Sequence, residues 1–391
     1  MLTGTRAEYG ILYWTIRRIH EDSDLDLALL VTGTHLSPEF GLTVQEVESD
    51  GFPIAAKVEM LLSSDTGAGA ATSMGVTTLK MAQVLNDQKP DLLLVLGDRT
   101  EVLATVVAAL PLLIPVAHVH GGESTEGLID EGVRHAVTKL SHLHFPATEF
   151  YAQRLAQMGE ETWRIHCCGA PSLEHLNRTP LPSREEVETD LGLDLDQPTL
   201  LVTYHPVTLS PEGVGNEVDE LVAALKASGS PVVATFPNAD AGGRSIIDRM
   251  KEFETGCPQV QLRVNLGSRR YLGLMRYAAA MVGNSSSGII EASSFGLPVV
   301  NIGERQRGRL RGPNVIDVPP SRSGILKGIK RALDPEFHEA AVSSVNPYDA
   351  GNSSETIVSV MKEVELGQRL LHKRMIDLPS TTAALRHGEK L

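Results

Sequence analysis

Cysteine is scarce: Cys167, Cys168 and Cys257 are the only three in 391 residues. Three cannot build a disulfide framework, and none stands in the C-x-x-C spacing of a zinc site. A reduced, cytoplasmic location follows. Long apolar runs are lacking too, for none approaches the ~20 residues that span a bilayer. The opening MLTGTRAEYG has no basic region followed by an apolar one, so it does not read as a signal peptide. Positive charge is outnumbered, with 35 Lys and Arg against 49 Asp and Glu and a net charge of −14. That balance argues against a sequence-independent nucleic-acid binder and makes local basic clusters more telling. No glycine–lysine pair of a Walker loop follows TGTR, and no G-x-G-x-x-G follows a strand, which leaves no nicotinamide or other cofactor expected.

The length implies about two domains, and 42% hydrophobic with 21% charged residues is ordinary for a globular chain. Seven short runs are apolar at nearly every position: 25–31, 91–97, 114–120, 199–205, 230–236, 278–284 and 297–303. Such runs read as strands buried on both faces of a parallel sheet. Helical patterns alternate with them, for example the stripe Ile129, Val133, Val137 and Leu140. The whole reads as α/β, doubly wound. A polar, Pro-rich and acidic stretch places a hinge between Gly169 and Arg184, after which the βαβ pattern restarts. The expected division is 1–171 and 172–364. A late helix is expected to be capped by Ser353 or Ser354, and residues from about Pro379 read as loosely ordered. Only Met1 and Leu2 precede the first polar turn, short against a typical strand of ~5–6 residues. The natural start is therefore expected upstream.

Chemistry collects where the apolar runs stop. VTGTH, LGDRTE, HVHGGE, TYHPVT, FPNADAGG, GNSSSG and NIGERQRG each switch abruptly to polar residues or glycine, and ligands of open α/β sheets bind at the carboxyl ends of strands. In GNSSSGIIE, Asn284 to Gly288 precede a helix expected to start near Ile289. Free N–H groups and the hydroxyls of Ser285, Ser286 and Ser287 there suit an anion, although the same pattern serves as plain capping. Glu291 suits ribose hydroxyls. ERQRGRLRG supplies Arg305, Arg307, Arg309 and Arg311, of which at least one is expected to face phosphate and the rest to be a solvated loop. Arg6 sits on a glycine-flanked turn, again an anion site. Asp98 and Arg99 lie at a strand tip, as does His205. Asp130 and Arg134 are four apart on one helix face, which equally describes an ordinary salt bridge. His118, His120, His142 and His144 raise a metal site, but no cysteine or compact ligand spacing supports one, and none is expected.

Together the pieces GTRAEYG, GDRTE, HxxGGE, IDEGVRHAVTKLSHLHF, HPVT, FPNADAG, GNSSSGIIE, FGLPVVNIGERQRGR and NPYDAGNSSETI resemble the hydrolysing UDP-N-acetylglucosamine 2-epimerases, in order and over almost the whole chain. The resemblance implies a GT-B-like fold of two Rossmann-like domains with the active site between them, and terminal helices of about 365–391 crossing back to the first domain. It implies a nucleotide-sugar substrate, a homodimer or homotetramer, and no metal. By position, Arg6, His205, Ser285, Ser286, Glu291 and Arg305 would hold UDP, with Arg99, Arg134, Asn238, Ser287 and Gly288 among the substrate contacts. Asp98 and Asp130 match the family's catalytic acids, with His205 in the catalytic set. The implied reaction converts UDP-N-acetylglucosamine to N-acetylmannosamine and UDP. UDP is eliminated to 2-acetamidoglucal, and water then adds with inversion at C2. The same reaction on a UDP- or GDP-2,4-diacetamido-2,4,6-trideoxyhexose, a GT-B glycosyltransferase and a non-catalytic nucleotide-sugar sensor are the alternatives. One departure stands out. Many relatives carry glutamate two residues after the histidine at His118, where this chain has His120. The proton role then falls to His120, to Glu123, or to neither, with Asp98 and Asp130 sufficing; Glu123 is slightly favoured because Gly121 and Gly122 free its backbone.

Overall fold

The computed structural model describes residues 1–64, 66–209, 211–237 and 242–377. Twelve strands form within them: β1 Leu2–Thr3, β2 Leu29–Thr32, β3 Ile54–Val58, β4 Leu93–Leu96, β5 Val116–Val119, β6 Leu143–Phe145, β7 Leu200–Thr203, β8 Val232–Thr235, β9 Val260–Arg263, β10 Ala280–Gly283, β11 Val299–Ile302 and β12 Val315–Val318. Every ladder between them is parallel. In the second half the order is β9-β8-β7-β10-β11-β12. In the first half β3-β2-β1 and β4-β5-β6 are separate ladders, with the two-residue β1 packed beside β4. Both halves thus follow the doubly wound order in which the chain reverses at the middle of the sheet, the place where such folds bind ligands. This is the GT-B-like pair of Rossmann-like units.

All seven expected apolar runs contain strands, and β2, β4, β5, β7, β10 and β11 are buried at every residue. Of the expected stripe over 129–140, Val133, Val137 and Leu140 pack on the first half's core, and only Ile129 falls outside it. The helix is Asp130–Leu140, Ile129 precedes it at 48% exposure, and the buried positions are Arg134, Val137 and Thr138. A charged residue occupies the inward face because it has partners there, described below.

Apolar packing and a returning segment both tie the halves together. A shared apolar cluster joins Ala147, Tyr151, Ala170 and Leu173 to Ile289, Ile290 and Tyr348. The chain also returns to the first half. Helix Ser353–Glu363 puts Ile357 and Val358 into the first sheet's core, ahead of the expected return near 365. Its N-cap is Asn352 rather than a serine, and the buried Glu174 carboxylate accepts from the N–H of Ser354 at 2.8 Å and from its hydroxyl at 2.9 Å. Further on, the fully buried Arg164 donates to the carbonyls of Leu370 (2.8 Å), Arg369 (3.1 Å) and His372 (3.2 Å). Lys373 Nζ donates to the carbonyls of Thr138, Lys139 and Ser141 at the C-terminal end of helix Asp130–Leu140, at 3.1, 2.9 and 2.7 Å. A cation there complements the helix dipole. The expected loose tail from Pro379 lies outside the described residues. No described helix is long and apolar enough to cross a membrane.

Candidate active site

The loops after β4 and β5 meet those after β7, β10 and β11. Glu126 N–H donates to the Arg307 carbonyl (3.2 Å), Leu209 N–H to that of Gly127 (3.3 Å), and Arg307 pairs with Glu126 at 2.9 Å. Glycine permits this approach. A Cβ on Gly127 would sit 3.0 Å from the Glu304 carbonyl oxygen, and one on Gly122, at φ +79°, only 2.7 Å from that of Tyr151. The Gly121–Gly122 pair therefore lets the loop pack tightly rather than swing.

Arg134 is the hub of the first half's contribution. Its side chain is 1% exposed; one Nη bonds the Asp98 carboxylate, the other donates to the His120 carbonyl at 3.1 Å and lies 4.0 Å from Glu123 Oε2. One guanidinium thus gathers the tips of β4 and β5. His120 adopts a left-handed backbone, φ +64°, uncommon outside glycine, and its Nδ1 bonds Glu123 Oε1. The histidine side chain keeps 8% exposure and Glu123 has none, while Asp98 keeps 20%. Arg309, from the second half, reaches Glu123 Oε2 at 3.1 Å. Burial alone would raise the Glu123 carboxyl, but Arg309, His120 and Arg134 overcome it and hold the group well below the usual carboxylate range. Asp130 occupies the first turn of the same helix, half-buried. Glu131 beside it accepts from the Ser124 hydroxyl (2.7 Å) and from His135 (3.1 Å), ordering the loop that carries Glu123.

In the second half Asn284 is the organiser. Its side chain accepts from His205 N–H (2.7 Å) and donates to the His205 carbonyl (2.8 Å), while its own carbonyl takes Arg305 (3.1 Å) and Gln306 (2.8 Å). Serine turn, His205 and Arg305 are thereby fixed to one another. Burial, then the charges of Arg305 and Arg99, push the His205 imidazole well below its ordinary value, so it is neutral at physiological pH. The helix after the serine turn is a single turn, Ser287–Ile290, starting before Ile289. The Tyr271 hydroxyl is buried among Thr203, Ser285 and Ser287. Glycine is required just before, since a Cβ on Gly283 would lie 1.9 Å from the Thr203 carbonyl oxygen.

Several expected residues sit differently. The Gly4 and Thr5 N–H groups of the Arg6 turn are taken by Glu8 Oε2, at 2.7 and 3.2 Å, in a capping box. Arg6 itself pairs with Glu46 at 2.7 Å and lines a cavity of about 410 Å³ with Tyr9, Tyr13, His175 and Arg269, apart from the ionic cluster. Glu291 accepts from the Ser172 hydroxyl at 2.5 Å. Arg99 donates to Glu101 at 2.9 Å. Of the four loop arginines, Arg305 and Arg309 turn inward, Arg307 is 60% exposed and Arg311 pairs with Asp317 at 3.1 Å. Gly288 packs against Val299, where a Cβ would come within 2.9 Å of Cγ1. Asn238 lies outside the described residues. His118 bonds the Gly97 carbonyl (2.7 Å), His142 accepts from Val116 N–H (3.1 Å) and His144 meets Glu160 (2.9 Å), so each serves the sheet. The sequence names Asn284 and Arg309 only as members of their motifs and does not single out Tyr348, inside NPYDAG, or Tyr151, which lies in none of the quoted pieces.

A family profile described as UDP-N-acetylglucosamine 2-epimerase matches residues 17–362. The chain is 37% identical over 372 residues to a Legionella pneumophila UDP-N,N'-diacetylbacillosamine 2-epimerase (hydrolyzing), covering 95% of this chain and 97% of that one. It is also 37% identical over 381 residues to a Campylobacter jejuni GDP/UDP-N,N'-diacetylbacillosamine 2-epimerase (hydrolyzing), covering 97% and 98%. The crystal structure of UDP-GlcNAc 2-epimerase from Neisseria meningitidis bound to UDP-GlcNAc matches with a TM-score of 0.77 at 21% identity, over 93% of this chain and 99% of that one, a likeness of fold. With its motifs in order, its sheets doubly wound and its acids gathered at the strand tips, the chain belongs to the UDP-N-acetylglucosamine 2-epimerase family.

Proposed function

We propose that the protein is a hydrolysing 2-epimerase of UDP-activated 2-acetamido sugars. Asp98 and the His120–Glu123 pair, both gathered by Arg134, carry this reading. A hydrogen at C2 is barely acidic, so its removal requires a leaving group to depart from C1. A base takes the C2 proton, the C1–O bond breaks with its electron pair going to UDP, and a 2-acetamidoglucal remains. Water then adds its oxygen at C1, and a proton returns to C2 from the opposite face. Two proton-handling groups are needed, and Asp98, with 20% of its side chain exposed, and His120, with 8%, take these roles. Glu123, wholly buried behind the imidazole, orients it. This reverses the preference drawn from the glycines. The departing diphosphate is met by the hydroxyls and N–H groups at Ser285–Ser287 with Arg305 and the neutral His205.

Sequence motifs left the sugar open between N-acetylglucosamine and a 2,4-diacetamido-2,4,6-trideoxyhexose. The two relatives at 37% identity are named for diacetylbacillosamine nucleotides, and that favours the diacetamido sugar. The test is direct. Purified protein is given each nucleotide sugar alone in D2O. Release of UDP with a 2-epimerised sugar carrying deuterium at C2, faster from the diacetamido substrate, is expected. Protium retained at C2 would exclude elimination; UDP release only with an added acceptor would make the protein a transferase.

The serine turn gives a separate expectation. Ser285→Ala with Ser286→Ala should weaken UDP binding by about 1.5–3 kcal/mol, the scale of hydrogen bonds to a charged group. Calorimetry showing unchanged UDP affinity would move the diphosphate site elsewhere.

A further inference from the structure

We infer that Arg309 is a positioning residue that couples apposition of the two halves to the readiness of His120, acting through Glu123. The inference rests on the reading of His120 as a proton-exchanging group. The three residues form a line across the junction: imidazole Nδ1 to Glu123 Oε1 within the first half, then Glu123 Oε2 to Arg309 Nη2, 3.1 Å away on the second.

The loop that delivers Arg309 is held by a built device. Leu310 N–H donates to the Tyr151 hydroxyl at 2.9 Å, and the Tyr348 hydroxyl donates to the Leu310 carbonyl at 2.9 Å. The two hydroxyls are 2.8 Å apart, and both rings are fully buried. Tyr151 belongs to helix Glu149–Gln157 of the first half, so the first half grips the backbone next to Arg309 while Arg309 grips the first half's carboxylate. Glu123 Oε2 has no well-aligned hydrogen-bond donor, and the guanidinium charge is its main counterweight to burial.

The chemistry follows from Glu123 being ionised. A carboxylate accepts from Nδ1–H and fixes the tautomer with Nε2 toward the exposed side. A protonated carboxyl would offer its own O–H to Nδ1 and turn the imidazole over. The charged and titratable groups facing the pair are Arg134, Tyr151, Tyr348 and Cys168 around Glu123, Glu291 and His118 around His120, and Asp98 toward Arg309.

Arg309→Met should lower kcat about 10- to 100-fold, the usual scale for a group that orients another, with UDP affinity unchanged. Its acid limb in kcat should move to higher pH, because Glu123 would take up a proton more readily. Arg309→Lys, which keeps the charge, should restore the position of that limb. Arg309→Met combined with Glu123→Gln should be no slower than Glu123→Gln alone, as for residues acting as one unit. Imidazole nitrogen NMR on the full chain should report a changed His120 tautomer in Arg309→Met, whichever sugar is turned over. Weakened UDP binding, multiplying effects in the double variant, or an unmoved acid limb and tautomer would each overturn the inference. A wild-type protein that turns over neither nucleotide sugar would instead sink the functional reading, and the NMR result would still decide the role of Arg309.

Discussion

Turnover of the His120→Asn variant is expected to fall by roughly 10²–10⁴, the scale of a lost general acid or base. Asparagine is chosen for two reasons. It tolerates the left-handed backbone seen at His120, φ +64°, and it can still hydrogen-bond Glu123, so the loop keeps its shape. What it cannot do is exchange a proton. UDP affinity should hold, because the diphosphate site proposed above lies on the second half. Glu123→Gln should be comparably impaired by a different route, since an amide can present N–H to Nδ1 and invert the tautomer, as replacing the orienting acid does in hydrolase triads. The two variants separate by what remains. Near-full turnover in His120→Asn would return the proton role to Glu123, or leave Asp98 and Asp130 to act without either.

The largest expected effect on stability belongs to Arg134→Met. At 1% exposure, Arg134 bonds Asp98 and the His120 carbonyl and lies 4.0 Å from Glu123. Removing one partner of a buried ionic group costs about 3–5 kcal/mol because the remaining charge stays buried. For a protein of this size that lowers the melting temperature by about 4–6 °C. Arg134→Lys should rescue little, since an ammonium cannot reach in the several directions of the guanidinium. The pH dependence has a defined sign. The folded Glu123 carboxyl lies below its unfolded value, so its pairing stabilises at neutral pH and is lost on acidification below about 4.3. The gap between wild type and Arg134→Met should therefore narrow in acid. A variant melting within roughly 2 °C of wild type at neutral pH would show that Arg134 is not the keystone argued here.

The central strands were readable because a parallel strand buried on both faces leaves an unbroken apolar run, as LLLVL and AMVG do. β3, β9 and β12 escaped for the converse reason. They are sheet edges with one face partly open, so IAAKV, VQLR and VIDV carry polar residues and look like any loop-flanked segment. The strand tips were readable as a site. Which tip residue faces which was not. Arg305, Arg307, Arg309 and Arg311 recur every second residue, yet the loop is a series of turns with no period, and inward or outward placement is decided by Asn284 and Glu123, distant in sequence. The inward place of Arg134, beside the stripe of Val133, Val137 and Leu140, was hidden likewise. A buried arginine is polar in a pattern search and becomes intelligible only once Asp98 and Glu123 converge on it.

The lash of Lys373 onto helix Asp130–Leu140 has a consequence for how the chain is made. The helix that carries Arg134 is synthesised early, but the ammonium that closes its last turn emerges roughly 230 residues later, on the order of 10–50 s at ordinary translation speeds. For that interval the first half exists with the carbonyls of Thr138, Lys139 and Ser141 and the side chain of Arg164 lacking their partners from residues 369–373. The helix that carries Arg134 is therefore closed at its far end only by a segment made last, so the first half reaches its full set of contacts only after the second has been synthesised.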